Sequence, residues 1–265
     1  MGKACGNLLE INSAMSGHSK WSTIKHQKEA NDQARGKIFS KLSRAITVAI
    51  REGGGETDPE VNYKLRVAID RAKEINMPKN NIERAISRAT DKGADELKSI
   101  RFEAYGPFGV GVIIEAITDN HQRAVQEIKN VIEKGGGSIA SPGAVAYNFS
   151  SQGQIIVKKE PDSENQLLQL MEIEGVKDLS EEEETIEVIS DKDRLSSVVD
   201  LIKKSGFEVS SSSLIMMPKT EIPINDPDKA KKIVNFIEKL ESHDDVQSVF
   251  TNFDIPVDVL KEISA

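Results

Sequence analysis

The sequence predicts an α+β protein: an N-terminal helical domain plus two α/β domains, one of them ferredoxin-like and inserted in the other. Three observations carry this. Apolar residues recur at helical spacing from 22 to 86, strand-like runs alternate with helical ones after 93, and the charge changes sign at the same place. Residues 15–92 hold 16 Lys/Arg against 10 Asp/Glu, a net of +6, whereas 93–265 hold 18 against 32, a net of −14. A chain of 265 residues is long for one core and comfortable for two or three small domains.

The clearest helix runs over 37–51. Ile38, Leu42, Ala45, Ile46, Ala49 and Ile50 form one apolar stripe, and Gly53, Gly54 and Gly55 end it. Asp58 before Pro59 predicts the start of a second helix, with Val61, Leu65, Ala68, Ile69 and Ala72 facing inward. Met77 and Pro78 break it. Asn80 with Glu83 three residues on predicts a capping box for a third helix, which buries Ile82, Ala85, Ile86 and Ala89.

After residue 93, 100–105 and 110–117 read as two strands joined at Gly106-Pro107-Phe108-Gly109. A helix over 120–134 stops at Gly135, Gly136 and Gly137. Short strands near 144–149 and 154–158, a helix near 163–173, a strand near 185–189, a helix over 191–204 and a strand over 207–217 follow. That order suits a sandwich of helices on an antiparallel sheet. The tail predicts a strand at 221–224, a helix over 226–241 and a strand over 246–252. The unit at 93–134 has too few strands to stand alone. The expected domains are therefore 15–92, then 93–143 with 219–265, and 144–218 inserted between those two pieces. Residues 1–14 read as an extension before a natural start at Met15.

Function classes narrow from here. No apolar run approaches the roughly 20 residues of a membrane span. The single cysteine, Cys5, fits a reducing, cytoplasmic setting. His18, His26, His121 and His243 stand at no metal-ligand spacing, so no metal is expected. Gly106, Gly109 and Gly111 stand in the wrong order for a dinucleotide fingerprint and lie between two strands, so they read as a hairpin turn. The 181–184 acidic run reads as a solvated loop, and Asp119-Asn120-His121 as a helix start. Gly135 to Gly137 offer backbone amides to a phosphate, though such a run is more often a helix stop. No nucleophile, base and orienting group belong together. The chain therefore reads as non-enzymatic, with no cofactor and no small-molecule substrate.

The basic face is the remaining signal. At ~100° per residue, Lys37, Lys41, Arg44 and Arg51 fall within a narrow arc opposite the apolar stripe, with Val48 among them. Upstream stand Lys20, Lys25, Lys28 and Arg35, interleaved with Trp21 and His26. Clustered cations neutralise phosphates, and an interleaved aromatic stacks on an exposed base. A lysine-rich face is otherwise a solvated face, and a tryptophan a packing anchor. The eight cations against two acids within 15–51 favour nucleic acid as partner. The candidate binding residues are Lys20, Trp21, Lys25, His26, Lys28, Arg35, Lys37, Lys41 and Arg44.

Several motifs carry a family resemblance. They are Met-Ser-Gly-His-Ser-Lys-Trp at 15–21, Ile24-Lys25-His26, Arg35-Gly36-Lys37-Ile38-Phe39-Ser40-Lys41-Leu42, Asn76-Met77-Pro78-Lys79-Asn80-Asn81-Ile82-Glu83-Arg84-Ala85-Ile86, Tyr105-Gly106-Pro107-Phe108-Gly109-Val110, and Glu115-Ala116-Ile117-Thr118-Asp119-Asn120. In this order they resemble the YebC/PmpR family, from Met15 to the end. The resemblance implies a three-domain cytoplasmic protein without catalytic activity. Its implied partners are DNA, in transcription regulation, or ribosomal RNA and the ribosome, in translation and the relief of stalling. Phe108 departs from the family, which usually has a small residue there, and Gln27 stands where a basic residue is common. A protein-interaction adaptor, whose acidic α/β domains bind a basic partner, is the alternative.

Overall fold

A computed structural model describes residues 32–90 and 97–264. The first three helices are α1 (Asp32–Glu52), α2 (Tyr63–Glu74) and α3 (Lys79–Thr90). Leu42, Ile46, Ala49 and Ile50 of α1 meet Leu65, Ile69 and Ala72 of α2, Met77, and Ile82 and Ala85 of α3 in one core. The predicted α1 stripe is thus the buried one.

Two helix starts differ from expectation. Asp58 and Pro59 open a turn, in which the Asp58 carbonyl accepts from the Val61 and Asn62 amides, and Val61 is exposed. Asn62 is the true cap of α2. Its Oδ1 accepts from the Leu65 amide while its Nδ2 donates to the Ala49 and Glu56 carbonyls, tying α2 to the end of α1. A cap that also satisfies two buried carbonyls outcompetes an exposed aspartate. α3 begins at Lys79 rather than being capped by Asn80, because the Pro78 carbonyl already accepts from the Asn81 and Ile82 amides.

The second body holds β1 (Lys98–Tyr105), β2 (Gly111–Thr118), α4 (His121–Lys134) and β3 (Ser138–Ile139). Its remaining strand β9 (Val246–Thr251) comes from the far end of the chain, and the sheet order is β3-β1-β2-β9. Asn120 caps α4 through Oδ1, as predicted. α4 and α7 (Pro227–Glu241) cover one sheet face, with Ile128, Ile132, Ile233, Phe236, Ile237 and Leu240 in the core. A terminal helix α8 (Val257–Ser264) adds Leu260 to that core, and short β8 (Ile222–Pro223) and β10 (Phe253–Asp254) pair in parallel. The sequence reading had neither α8 nor β10.

Between them lies β4 (Phe149–Lys158), α5 (Ser163–Met171), β5 (Val176–Glu181), β6 (Thr185–Asp191), α6 (Leu195–Lys204) and β7 (Val209–Pro218). The order is β-α-β-β-α-β, with the sheet arranged β5-β6-β4-β7 and every neighbour antiparallel. This is the ferredoxin-like arrangement. Two details of the expected element order are corrected. The expected strands at 144–149 and 154–158 are one strand preceded by a 3-10 turn at Ala146–Asn148, and β5 was absent from the expectation. Glu181 is the end of β5 and pairs with Lys159 at 2.8 Å, so the acidic run is only partly a solvated loop.

The glycines at 135–137 also have a packing explanation. A Cβ on Gly135 would stand 2.2 Å from the Phe236 ring, and one on Gly137 would stand 2.6 Å from the Tyr105 carbonyl. Ile113, Val145 and Phe149 form a small cluster, with Met216 against it, that joins the two α/β sheets. No helix among the described residues is long and apolar enough to cross a membrane.

Candidate nucleic-acid interface

The helical periodicity of α1 brings Lys37, Lys41 and Arg44 to one side, as the sequence reading required. That side is not open along its length. The Lys41 ammonium donates to the Glu241 carbonyl at 2.6 Å, at the C-terminal end of α7 where helix carbonyls concentrate negative potential. Arg44 Nη1 donates to Asp245 Oδ1 at 2.7 Å and to the Asp244 carbonyl at 3.3 Å. Lys37 lies 3.7 Å from Asp244, with both side chains largely exposed. Val48, on the same arc, is buried, because this side of α1 packs toward β2 and β9. Arg51 is half-buried and Arg35 is exposed. Lys20, Trp21, Lys25, His26 and Lys28 lie outside the described residues.

Asp245 organises the contact. Its carboxylate is 3% exposed and accepts from Arg44, from Thr118 Oγ1 at 3.0 Å and from Arg123 Nη2 at 3.0 Å. Burial pushes its pKa up, but the bonds from Arg123, Thr118 and Arg44 outweigh this and hold it below the usual aspartate value. Arg123 is in turn raised by Asp245. Its backbone also bridges: the Asp245 carbonyl accepts from the Ile117 amide at 2.8 Å.

Glu127, His243 and Asp245 offer ligand atoms within 4.8 Å of one another. Their hydrogen bonds explain the grouping without an ion. The Asp245 amide donates to His243 Nδ1 at 3.1 Å, so Nδ1 is the acceptor and Nε2 carries the proton toward Glu127 Oε2 at 3.1 Å. Neither ring nitrogen has a lone pair to spare, and Arg44 and Arg123 already compensate Asp245.

Sequence reasoning found the cations but not Asp244, Asp245 or Arg123. Asp245 lies 201 positions from Arg44, and no local pattern connects them. What the arrangement does chemically is present guanidinium and ammonium groups to carboxylate and carbonyl oxygens. A phosphate offers the same kind of acceptor.

Comparison with known proteins follows the same division of the chain. A family profile described as TACO1/YebC protein N-terminal domain matches residues 19–92, and one described as TACO1/YebC second and third domain matches 97–253. A relative from Dictyoglomus turgidum named "Probable transcriptional regulatory protein" is 42% identical over 252 residues, covering 94% of this chain and all of the relative. One from Syntrophus aciditrophicus with the same name is 42% identical, covering 95% of this chain and all of the relative. The crystal structure of a conserved hypothetical protein from Aquifex aeolicus superposes with a TM-score of 0.80 at 38% identity, covering 89% of this chain and 97% of that one.

Proposed function

The chain belongs to the TACO1/YebC family, and on that premise we propose that it is a non-enzymatic, cytoplasmic regulator of gene expression that works by binding nucleic acid, either DNA or ribosomal RNA. One observation carries this reading. A helical module of net +6 is joined to a remainder of net −14. Its cations converge on one side of α1, where they already hold oxygen acceptors. The relatives' name as transcriptional regulators agrees with it.

The contacts divide the candidate residues by role. Lys41 and Arg44 anchor α1 to the α/β body. Arg35 and Lys37, at the exposed end of the helix, are the phosphate contacts, and Lys20, Lys25 and Lys28 with Trp21 and His26 stay candidates on their sequence alone. The test is the salt dependence of binding. Replacing Arg35 and Lys37 together by Ala should weaken binding and flatten the plot of log K against log salt by about 1.4 on single strands or about 1.8 on duplex DNA. An unchanged slope sinks the assignment. Crosslinking in cells followed by joint sequencing of bound RNA and DNA separates transcription from translation at the ribosome.

The adaptor reading has one observation in its favour: the 241–245 segment of the acidic body already accepts a basic helix. Capture of a basic protein partner that survives nuclease treatment would support it over the first.

A further inference from the structure

Four tyrosine and phenylalanine side chains are exposed among the described residues; Tyr63 begins α2, and the other three lie elsewhere, near one another. Tyr105, Phe108 and Tyr147 are 41%, 46% and 72% exposed, and all three stand at one end of the β3-β1-β2-β9 sheet. Tyr105 ends β1, Phe108 sits in the turn between β1 and β2, and Tyr147 lies in the 3-10 turn before β4. Asp245 packs against Thr118, at the other end of β2, about 24 Å away along the strand. This is a surface separate from the basic side of α1.

Polar contacts fix the Tyr105 ring and the backbone that carries Tyr147. Tyr105 donates its hydroxyl proton to the Ala144 carbonyl at 2.9 Å, which fixes the ring. The loop that receives it is pinned by Glu103, a residue only 9% exposed, whose carboxylate accepts from the Gly143, Val145 and Ala146 amides at 2.6–2.7 Å. Lys219 donates to the Tyr147 carbonyl at 2.8 Å. Phe108 has a φ of 62°, one of two non-glycine residues in the left-handed region among the described residues, and Lys229 lies 5.6 Å from its ring centroid. A bulky side chain in that backbone region is strained, and glycine would remove the strain. Strain retained at an exposed position points to a use for the side chain.

We propose that Tyr105, Phe108 and Tyr147 form a stacking surface for unpaired bases of a single-stranded nucleic acid. The surroundings favour bases over an apolar protein partner. A protein hot spot is centred in a well-packed, water-excluding apolar patch. Here the rings alternate with bare glycine backbone at Gly109 and Gly143, where a Cβ would meet nothing within 4 Å. Ammonium groups from Lys219 and Lys229 stand among them. Flat rings with cations beside them are the parts of a sequence-tolerant single-strand site. The inference rests on the nucleic-acid reading above and extends it to a second surface.

The experiment uses the full chain with a fluorescently labelled 12-nucleotide RNA of mixed sequence, single-stranded and as its duplex. Phe108→Gly should keep or raise the melting temperature, because it relieves the left-handed strain, and Tyr147→Ala should leave it nearly unchanged. Each should weaken single-strand binding by about tenfold, leave duplex binding unaltered and keep the salt slope, since no phosphate contact is removed. Unchanged single-strand affinity in both folded variants overturns the proposal and leaves the rings to a protein partner. A loss shared equally by duplex and single strand overturns it too. The Arg35 and Lys37 result is read from the slope, so failure of the first reading is told apart from failure of this one.

Discussion

Glu74, at the end of α2, accepts a hydrogen bond from the Ser212 amide of β7 at 3.2 Å and so links the helical module to the ferredoxin-like body. Burial raises its pKa from 4.5 to about 7, against the Ser212 bond and the Arg71 charge. The folded protein therefore binds this proton more tightly than the unfolded chain does. The consequence is a stability that falls as pH rises from about 4.5 through about 7. Water reaches one side of the carboxylate, which moderates the size of the effect. Glu74→Gln keeps an acceptor for Ser212 and removes the charge. Urea unfolding should find it equal to wild type at pH 5 and more stable at pH 8; the same difference at both values would refute the account. Glu103 works in the opposite sense. Burial opposes its charge, but its three amide donors together hold its pKa below the ordinary value, so its contribution is present at neutral pH and fades in acid. Glu103→Gln presents an NH2 to donors and should lose about 2 kcal/mol at pH 7 by the same measurement.

At the scale of the element, Gly135 closes α4 where the Phe236 ring of α7 crosses it. Gly135→Ala should destabilise by about 1–3 kcal/mol through overpacking. In a double-mutant cycle with Phe236→Leu the two losses should not add, because the smaller side chain makes room for the methyl. Simple additivity would mean that the helix end, not the ring, needs the glycine. Such glycines explain where the sequence was legible and where it was not. The stripes of α1, α4 and α7 could be read directly, because burial on one side of a helix imposes its period on the residues. β4 was divided in two because Gly153 resembles a turn. In the fold it permits close approach, since a Cβ there would meet Ser190 Oγ and the Leu195 side chain within 3 Å. β5 was missed because Val176–Glu181 is a polar edge strand, buried mainly through Leu179 and Ser180. α2 was begun too early because Asp58-Pro59 carries the local signal of a cap, while the tertiary bonds of Asn62 decide the matter.

The whole molecule is held by a basic module leaning on both acidic bodies. α1 reaches 241–245 through Lys41 and Arg44, and α2 reaches β7 through Glu74, with Val67 packed against the ferredoxin-like core. The cations of the candidate site were legible because they share a helix. Their partners were not, because the acids lie about 200 positions away and become neighbours only through the fold. This docking sets a competition. Lys37 is shared between Asp244 and any phosphate, whereas Arg44 is committed to a carboxylate that Thr118 and Arg123 also hold. Removing Asp244 should therefore help binding, and removing Asp245 should harm the fold. Asp244→Ala breaks an exposed pair worth at most about 1 kcal/mol, so the melting temperature should barely move. Nucleic-acid affinity at low salt should rise by a few-fold, and the gain should vanish when Lys37 is also replaced by Ala. Asp245→Ala takes the shared acceptor from Arg44, Thr118 and Arg123 and should destabilise by about 1.5–3 kcal/mol, so its melting temperature should fall clearly below that of Asp244→Ala. A gain for Asp244→Ala that persists without Lys37 would place the effect in the general field of the acidic body rather than in this contact. No gain at all would mean that Lys37 never meets a phosphate while α1 is docked, and binding would then depend on residues 20–28.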